Sequence, residues 1–156
     1  MTCSVRRIEA RDEPRWRELW DGYNRFYERE PSTAITAQTW RKIMDASAPI
    51  HAIVAENIVA QNEDHQIIGM ANYVIHDSTS SLAPVCLMQD LFVDPAVRGA
   101  GAGKLLIDWL VAEMSVQGWS RLYWHTKENN YRARGLYDKY TPHSGFLRYV
   151  ILNPRV

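Results

Sequence analysis

Three glycines alternate with alanines in the segment Arg98-Gly99-Ala100-Gly101-Ala102-Gly103-Lys104. Residues this small leave successive backbone N–H groups bare, and the first turn of a following helix has N–H donors without partners inside that helix. Such a turn attracts a diphosphate, and the helix dipole adds to the attraction. Arg98 and Lys104 bracket it with two charged donors. A nucleoside-triphosphate loop needs Gly-Lys followed by Ser or Thr to reach magnesium, whereas Lys104 is followed by Leu105. A dinucleotide fingerprint follows the first strand and places an acidic residue about 20 positions on, and these glycines come late in the chain. Glycines that serve only a tight strand-to-helix turn are the alternative. His51, His65, His76 and His143 have no carboxylate or cysteine at a spacing that implies a metal or a catalytic triad, so no metal is assigned.

The elements around this turn follow from periodicity. The nearly continuous apolar run 85–93 suits a central strand, stopped by Asp94-Pro95. After the turn, Leu105, Leu106, Trp109, Leu110 and Met114 repeat at helical spacing up to Gly118. Upstream, residues 5–8 predict a first strand. Asp12 stands as the cap of a helix bearing Trp16, Leu19, Trp20, Tyr23, Phe26 and Tyr27, which ends before Pro31. A second helix is expected after Thr36, closed by Pro49. Residues 50–56 and 66–76 predict two antiparallel strands joined through Asn62, Glu63 and Asp64. A short buried strand at 122–125, a helix at 130–140 and a last strand at 146–152 complete the order.

Composition narrows the function classes. With 156 residues, 46% of them hydrophobic, the chain supplies one core and reads as a single domain, residues 1–156. Eighteen basic residues balance eighteen acidic ones, so nucleic acid is a poor partner. Two cysteines without a framework fit a reducing compartment. No run of about 18 apolar residues occurs, so the expectation is a cytoplasmic protein without a membrane span, the nucleus remaining open. Six tryptophans and eight tyrosines serve either a core and subunit contact or a substrate groove.

Gln89-Asp90-Leu91-Phe92-Val93-Asp94-Pro95 followed by Arg98-x-x-Gly101-x-Gly103 resembles the acetyl-CoA signature of the GCN5-related N-acetyltransferase superfamily. A second piece, Tyr123-Trp124-His125-Thr126 and then Asn130-x-x-Ala133-x-x-Leu136-Tyr137, adds to it, and the likeness covers about residues 5–140. The first-helix pattern is similar to that of small fungal histone, polyamine and D-amino-acid acetyltransferases and their bacterial relatives. The resemblance implies an α/β acyl-CoA N-acyltransferase fold: a mixed sheet of six to seven strands, flanked by about four helices and splayed between its fourth and fifth strands. Acetyl-CoA would enter that split, its pantetheine pairing with the backbone of Leu91 and Val93 and its pyrophosphate resting on the amides of residues 98–104. Asn130 and Ala133 would lie beside the pantetheine, and Tyr137 would face the thioester sulfur. The family usually continues this helix into a Gly-Phe pair that starts a sixth strand. Here Thr141-Pro142-His143-Ser144-Gly145 intervenes, so the resemblance implies a shortened end, a pocket shared with a second subunit and a homodimer.

Acetyl transfer to an amine needs a base, polarisation of the thioester carbonyl and a proton for the departing thiolate. Asp90 is the candidate base, with an ionised structural role as its alternative. Gln89 faces the other way by the two-residue period unless a bulge intervenes. N–H groups around Phe92 and Val93 would hold the oxyanion. Tyr137 would protonate sulfur, a core tyrosine being the alternative. Tyr23, Tyr27, Glu28 and His125 are candidate acceptor contacts, with Glu30 beside them, although a lone histidine is more often structural. The expected acceptor is a small primary amine such as a polyamine, amino acid or aminoglycoside. A lysine in a basic protein tail and a non-catalytic acetyl-CoA binding module are the competing readings.

Overall fold

The computed structural model describes residues 2–59 and 64–156. Asn62 and Glu63, expected in the connection between two strands, lie outside them. Two compact units divide the chain, Met1–Trp124 and His125–Val156.

The first unit is built on five strands in the order β1-β2-β3-β4-β5. They are β1 (Thr2–Arg7), β2 (Ile50–Val59), β3 (Asp64–His76), β4 (Val85–Val93) and β5 (Leu122–Tyr123). The first four pair antiparallel and β5 runs parallel to β4, so the sheet is mixed. Three helices belong to this unit: α1 (Glu13–Phe26), α2 (Thr33–Met44) and α3 (Ala102–Gln117). Ala52 and Val54 of β2 join Trp16, Leu19, Trp20 and Tyr23 of α1 and Trp40 and Ile43 of α2 in one cluster. Within it Trp16 stacks on Trp20 at 5.6 Å and meets Trp40 at 5.2 Å. The alternate β2 residues Ile53 and Ala55 are also fully buried, so β2 is covered on both faces. Tyr73 of β3 meets Trp109 of α3 and Trp119 just beyond it. Three of the six tryptophans, Trp16, Trp20 and Trp40, are thus core, and the other three are half-buried.

Several boundaries differ from expectation. Asp12 holds the N-cap position of α1 as expected, but its side chain does not cap the helix; its carboxylate is buried and takes two hydrogen bonds from Arg6, which also holds Glu56. An ion pair outcompetes a cap here because Arg6 on β1 and Glu56 on β2 already face that point. The α2 helix begins at Thr33, where the Ser32 hydroxyl accepts from the Ile35 N–H, and Thr36 lies inside it, accepting from Trp20 Nε1 at 3.1 Å. Gly118 ends α3 in the left-handed region at φ 73°, as its position predicts.

The second unit contains α4 (Tyr131–Tyr137), capped by Asn130, and then residues 138–156 without helix or strand apart from turns. The strand expected at 146–152 does not form: Phe146, Leu147, Tyr149 and Ile151 are almost fully exposed and no ladder receives them. Strand propensity without a neighbouring edge leaves extended chain. The observed sheet therefore has five strands among the described residues rather than six or seven. The segment at 122–125 is likewise only a two-residue strand of half-buried residues, and His125 lies exposed beyond its end.

Candidate active site

The chemistry of β4 turns on a bulge. Asn72 of β3 is opposite Asp90, while the next residue, Tyr73, is opposite Met88, so Gln89 has no partner. Gln89 is exposed and Asp90 is buried. The inserted residue also exchanges the two edges of the strand. Before it, the Cys86 N–H donates to Arg121 O on the β5 side; after it, the Asp94 N–H donates to Ile68 O on the β3 side, although both positions are even-numbered. By the same alternation the Phe92 N–H faces β3, while those of Leu91 and Val93 face the other edge. That edge is open in the sheet, because β5 pairs with β4 only at Cys86 and Leu87. The bulge and the short β5 together make the split.

Asp90 closes a buried polar chain. Trp16 Nε1 donates to Asn72 Oδ1 at 3.1 Å, and Asn72 Nδ2 donates to Asp90 Oδ2 at 3.0 Å. The Tyr23 hydroxyl donates to the Gln89 carbonyl at 3.4 Å and interacts with the neighbouring Asp90 carboxylate. Burial raises the Asp90 pKa above the ordinary carboxylate value, against the hydrogen bonds from Asn72 and Tyr23 and the charge of Arg29. Burial and the neighbouring Asp90 charge push the Tyr23 phenol up as well. Tyr23 is therefore a buried ring with its hydroxyl at the site. Tyr27 caps the end of α1 with its ring 4.9 Å from that of Tyr23. Glu28 follows in the left-handed region at φ 54°.

Beyond β4 the chain turns tightly. Asp94 accepts from the Ala96 N–H at 2.9 Å and pairs with Arg15 of α1 at 2.6 Å; these two contacts hold its carboxyl below the usual range. Gly99 and Gly101 have φ of 95° and 78°, with no atom near the place of a Cβ, so conformation rather than space demands glycine. No side chain caps α3, and its first internal hydrogen bond runs from the Leu105 N–H to the Gly101 carbonyl. The donors of the first turn, Ala102 and Gly103 among them, have no partner inside the helix. This donor set fits the pyrophosphate of a coenzyme A thioester. Arg98 contacts the Val93 carbonyl at 3.5 Å and the Phe92 ring at 5.9 Å, whereas Lys104 is drawn to Asp108 at 2.5 Å. A cleft of about 430 Å³ between α1 and this turn is lined by Arg15, Gly22, Phe26, Phe92, Asp94 and Arg98.

In the second unit Asn130 spends its side chain locally, accepting from the Ala133 N–H at 3.4 Å and donating to Thr126 Oγ1 at 3.1 Å. Tyr137 is the last residue of α4 and half-buried. Two polar residues escaped the sequence reading. Asn72 was visible as a lone amide inside the apolar run Gly69-Met70-Ala71-Asn72-Tyr73-Val74, and Arg29 had no signal beyond following the aromatic helix. Among the described residues no cluster of metal-ligating side chains occurs, and no helix is long and apolar enough to cross a membrane.

The model of the acetyltransferase (GNAT) family matches residues 14–141. The chain is similar to the D-amino-acid N-acetyltransferase HPA3 of Saccharomyces cerevisiae, 29% identical over 135 residues that cover 86% of this chain and 81% of that protein. It is also similar to the uncharacterized N-acetyltransferase YhfO of Bacillus subtilis, 26% identical over 97% of this chain and 98% of that one. Among solved structures, AAC(6')-Iy in complex with a bisubstrate analogue of coenzyme A superposes with a TM-score of 0.75 at 19% identity, covering 100% of both chains. That likeness concerns the fold.

Proposed function

Because this chain belongs to the GNAT acetyltransferase family and is an acetyl-CoA dependent N-acetyltransferase, we propose that its acceptor is the primary amine of a small molecule, attacked directly in a ternary complex. The observation that carries this reading is the buried Asp90, set by the bulge beside the open edge of β4. A carboxylate with a raised pKa is suited to take a proton from an ammonium ion, since the best base titrates near the working pH. Asp90 accepts that proton, and the nitrogen lone pair so freed bonds to the thioester carbon. The outward N–H groups of Leu91 and Val93 are the donors available to pantetheine and to the developing oxyanion. Tyr137 gives its proton to sulfur as the carbon–sulfur bond breaks, the role proposed for it from the family motif, and the second proton shed by the nitrogen as it becomes an amide restores the phenol. The amides of residues 98–104 hold the pyrophosphate.

Two further features support the details. The balanced charge of the chain offers no field for a highly basic protein tail, which favours a small acceptor. The exposed apolar tail supports a homodimer, because a second copy of the chain supplies the cover that this copy lacks. Free-thiol release from acetyl-CoA, measured against polyamines, amino acids, aminoglycosides and a histone-tail peptide, tests the reading. Turnover confined to the basic peptide would replace the small amine with protein lysine.

A further inference from the structure

The end of α1 carries an arrangement that the catalytic reading leaves unused. The helix closes with the Glu28 N–H on the Arg25 carbonyl and the Arg29 N–H on the Asn24 carbonyl, at 3.1 and 2.9 Å. This closure requires a left-handed residue, commonly glycine, and here it is Glu28 at φ 54°. The strained turn delivers Arg29 back over the helix end. Its guanidinium carbon lies 5.1 Å from the Tyr23 ring centre and 5.7 Å from that of Tyr27. Among the described residues it has no carboxylate in ion-pair contact: Glu28 and Glu30 flank it in sequence, are exposed and do not pair with it. The Tyr23 hydroxyl donates to the carbonyl of Gln89, the residue before Asp90, so the phenol ring that carries the Arg29 guanidinium ends beside the buried carboxylate on which that guanidinium's charge acts.

We propose that Arg29 and Asp90 form the two ends of an acceptor site for an α-amino acid, with Asp90 receiving the ammonium group and Arg29 the carboxylate. This inference rests on the acetyl-transfer reading above and narrows its substrate class. A planar guanidinium stacked on aromatic rings is preorganised to bind a carboxylate through two parallel hydrogen bonds. The same positive charge opposes a second ammonium group next to the first, so a diamine suits the site less well. Tyr27 flanks the acceptor, and the aromatic stack fixes the fork without a carboxylate of the protein's own.

The test compares free alanine and phenylalanine of both hands with the corresponding amino-acid amides and with a diamine, using thiol release from acetyl-CoA. In the unaltered protein kcat/KM is expected to favour the amino acid over its amide by at least tenfold, with the difference carried in KM. Arg29→Gln is expected to abolish that preference, and Arg29→Lys to retain part of it through charge alone; coenzyme A uptake by each variant reports folding. Equal turnover of acid and amide by the unaltered protein, or an acid-to-amide preference that survives Arg29→Gln, would overturn the carboxylate role while leaving acetyl transfer standing. Coenzyme A uptake without turnover of any acceptor would overturn both.

Discussion

Asp90, the proposed base, has surroundings that disagree about its charge. Burial favours the neutral acid, and Asn72, Tyr23 and Arg29 favour the anion, leaving the pKa raised. An acid whose pKa is higher folded than unfolded binds more protons in the folded state. Its stabilising contribution is therefore complete below the ordinary carboxylate value of 3.8 and is lost as pH rises through the raised value. The rate has the opposite dependence, since only the ionised carboxylate accepts a proton. We expect kcat/KM to rise with pH through an apparent pKa above the ordinary carboxylate value. In Asp90→Asn that limb should vanish, with kcat reduced about 10² to 10⁴-fold and coenzyme A uptake retained. Urea unfolding of the same variant should show a flatter decline of stability above about pH 4 than the parent. A variant with undiminished kcat would remove Asp90 from the chemistry.

Elements set these residues in place, and their legibility varied with the kind of information each needs. The β4 strand and the α3 helix were readable because apolar periodicity is local, and Gly118 marked its own left-handed turn. The bulge at Gln89 was only a condition in the sequence, because a bulge is a mismatch between two strands and the partner register of β3 is not written in β4. The same holds for Arg6, whose two carboxylate partners come from positions 12 and 56. Breaking that buried cluster with Arg6→Ala should cost about 3 kcal/mol in urea unfolding, because the buried Asp12 and Glu56 carboxylates lose the guanidinium between them. Gly22 was unreadable for a related reason: a Cβ there would lie 2.7 Å from the Phe92 ring, so only glycine lets α1 approach β4 this closely. Gly22→Ala should lose about 1–3 kcal/mol by overpacking. The glycine turn behaves differently, since Gly101 has open space around it and is constrained by φ alone. Gly101→Ala should therefore weaken coenzyme A uptake in calorimetry severalfold, with a stability loss of only about 1 kcal/mol.

At the scale of the whole molecule the unresolved matter of energy is the end of the chain. Residues 146–152 read Phe-Leu-Arg-Tyr-Val-Ile-Leu, a segment with one charge and strong strand preference. Phe146 is 91% exposed, Ile151 99% and Leu152 82%, an apolar surface that a monomer in water has no use for. Flanking composition does not rescue it, since Gly145 at φ 79° and Pro142 place the segment after a turn rather than within a helix. Its sequence was legible as a strand, and its conformation was not, because a strand is completed by an edge that need not belong to the same copy. A second copy of the chain is the proposed cover. The purified protein should have the mass of a dimer in light scattering at micromolar concentration, and its Tm should rise with protein concentration, as mass action requires when assembly stabilises the folded state. The pair Phe146→Asp and Ile151→Asp should shift that mass to the monomer while the far-ultraviolet circular dichroism of the first unit persists. A parent protein that is monomeric at every concentration, with a Tm independent of dilution, would show that the tail stays uncovered.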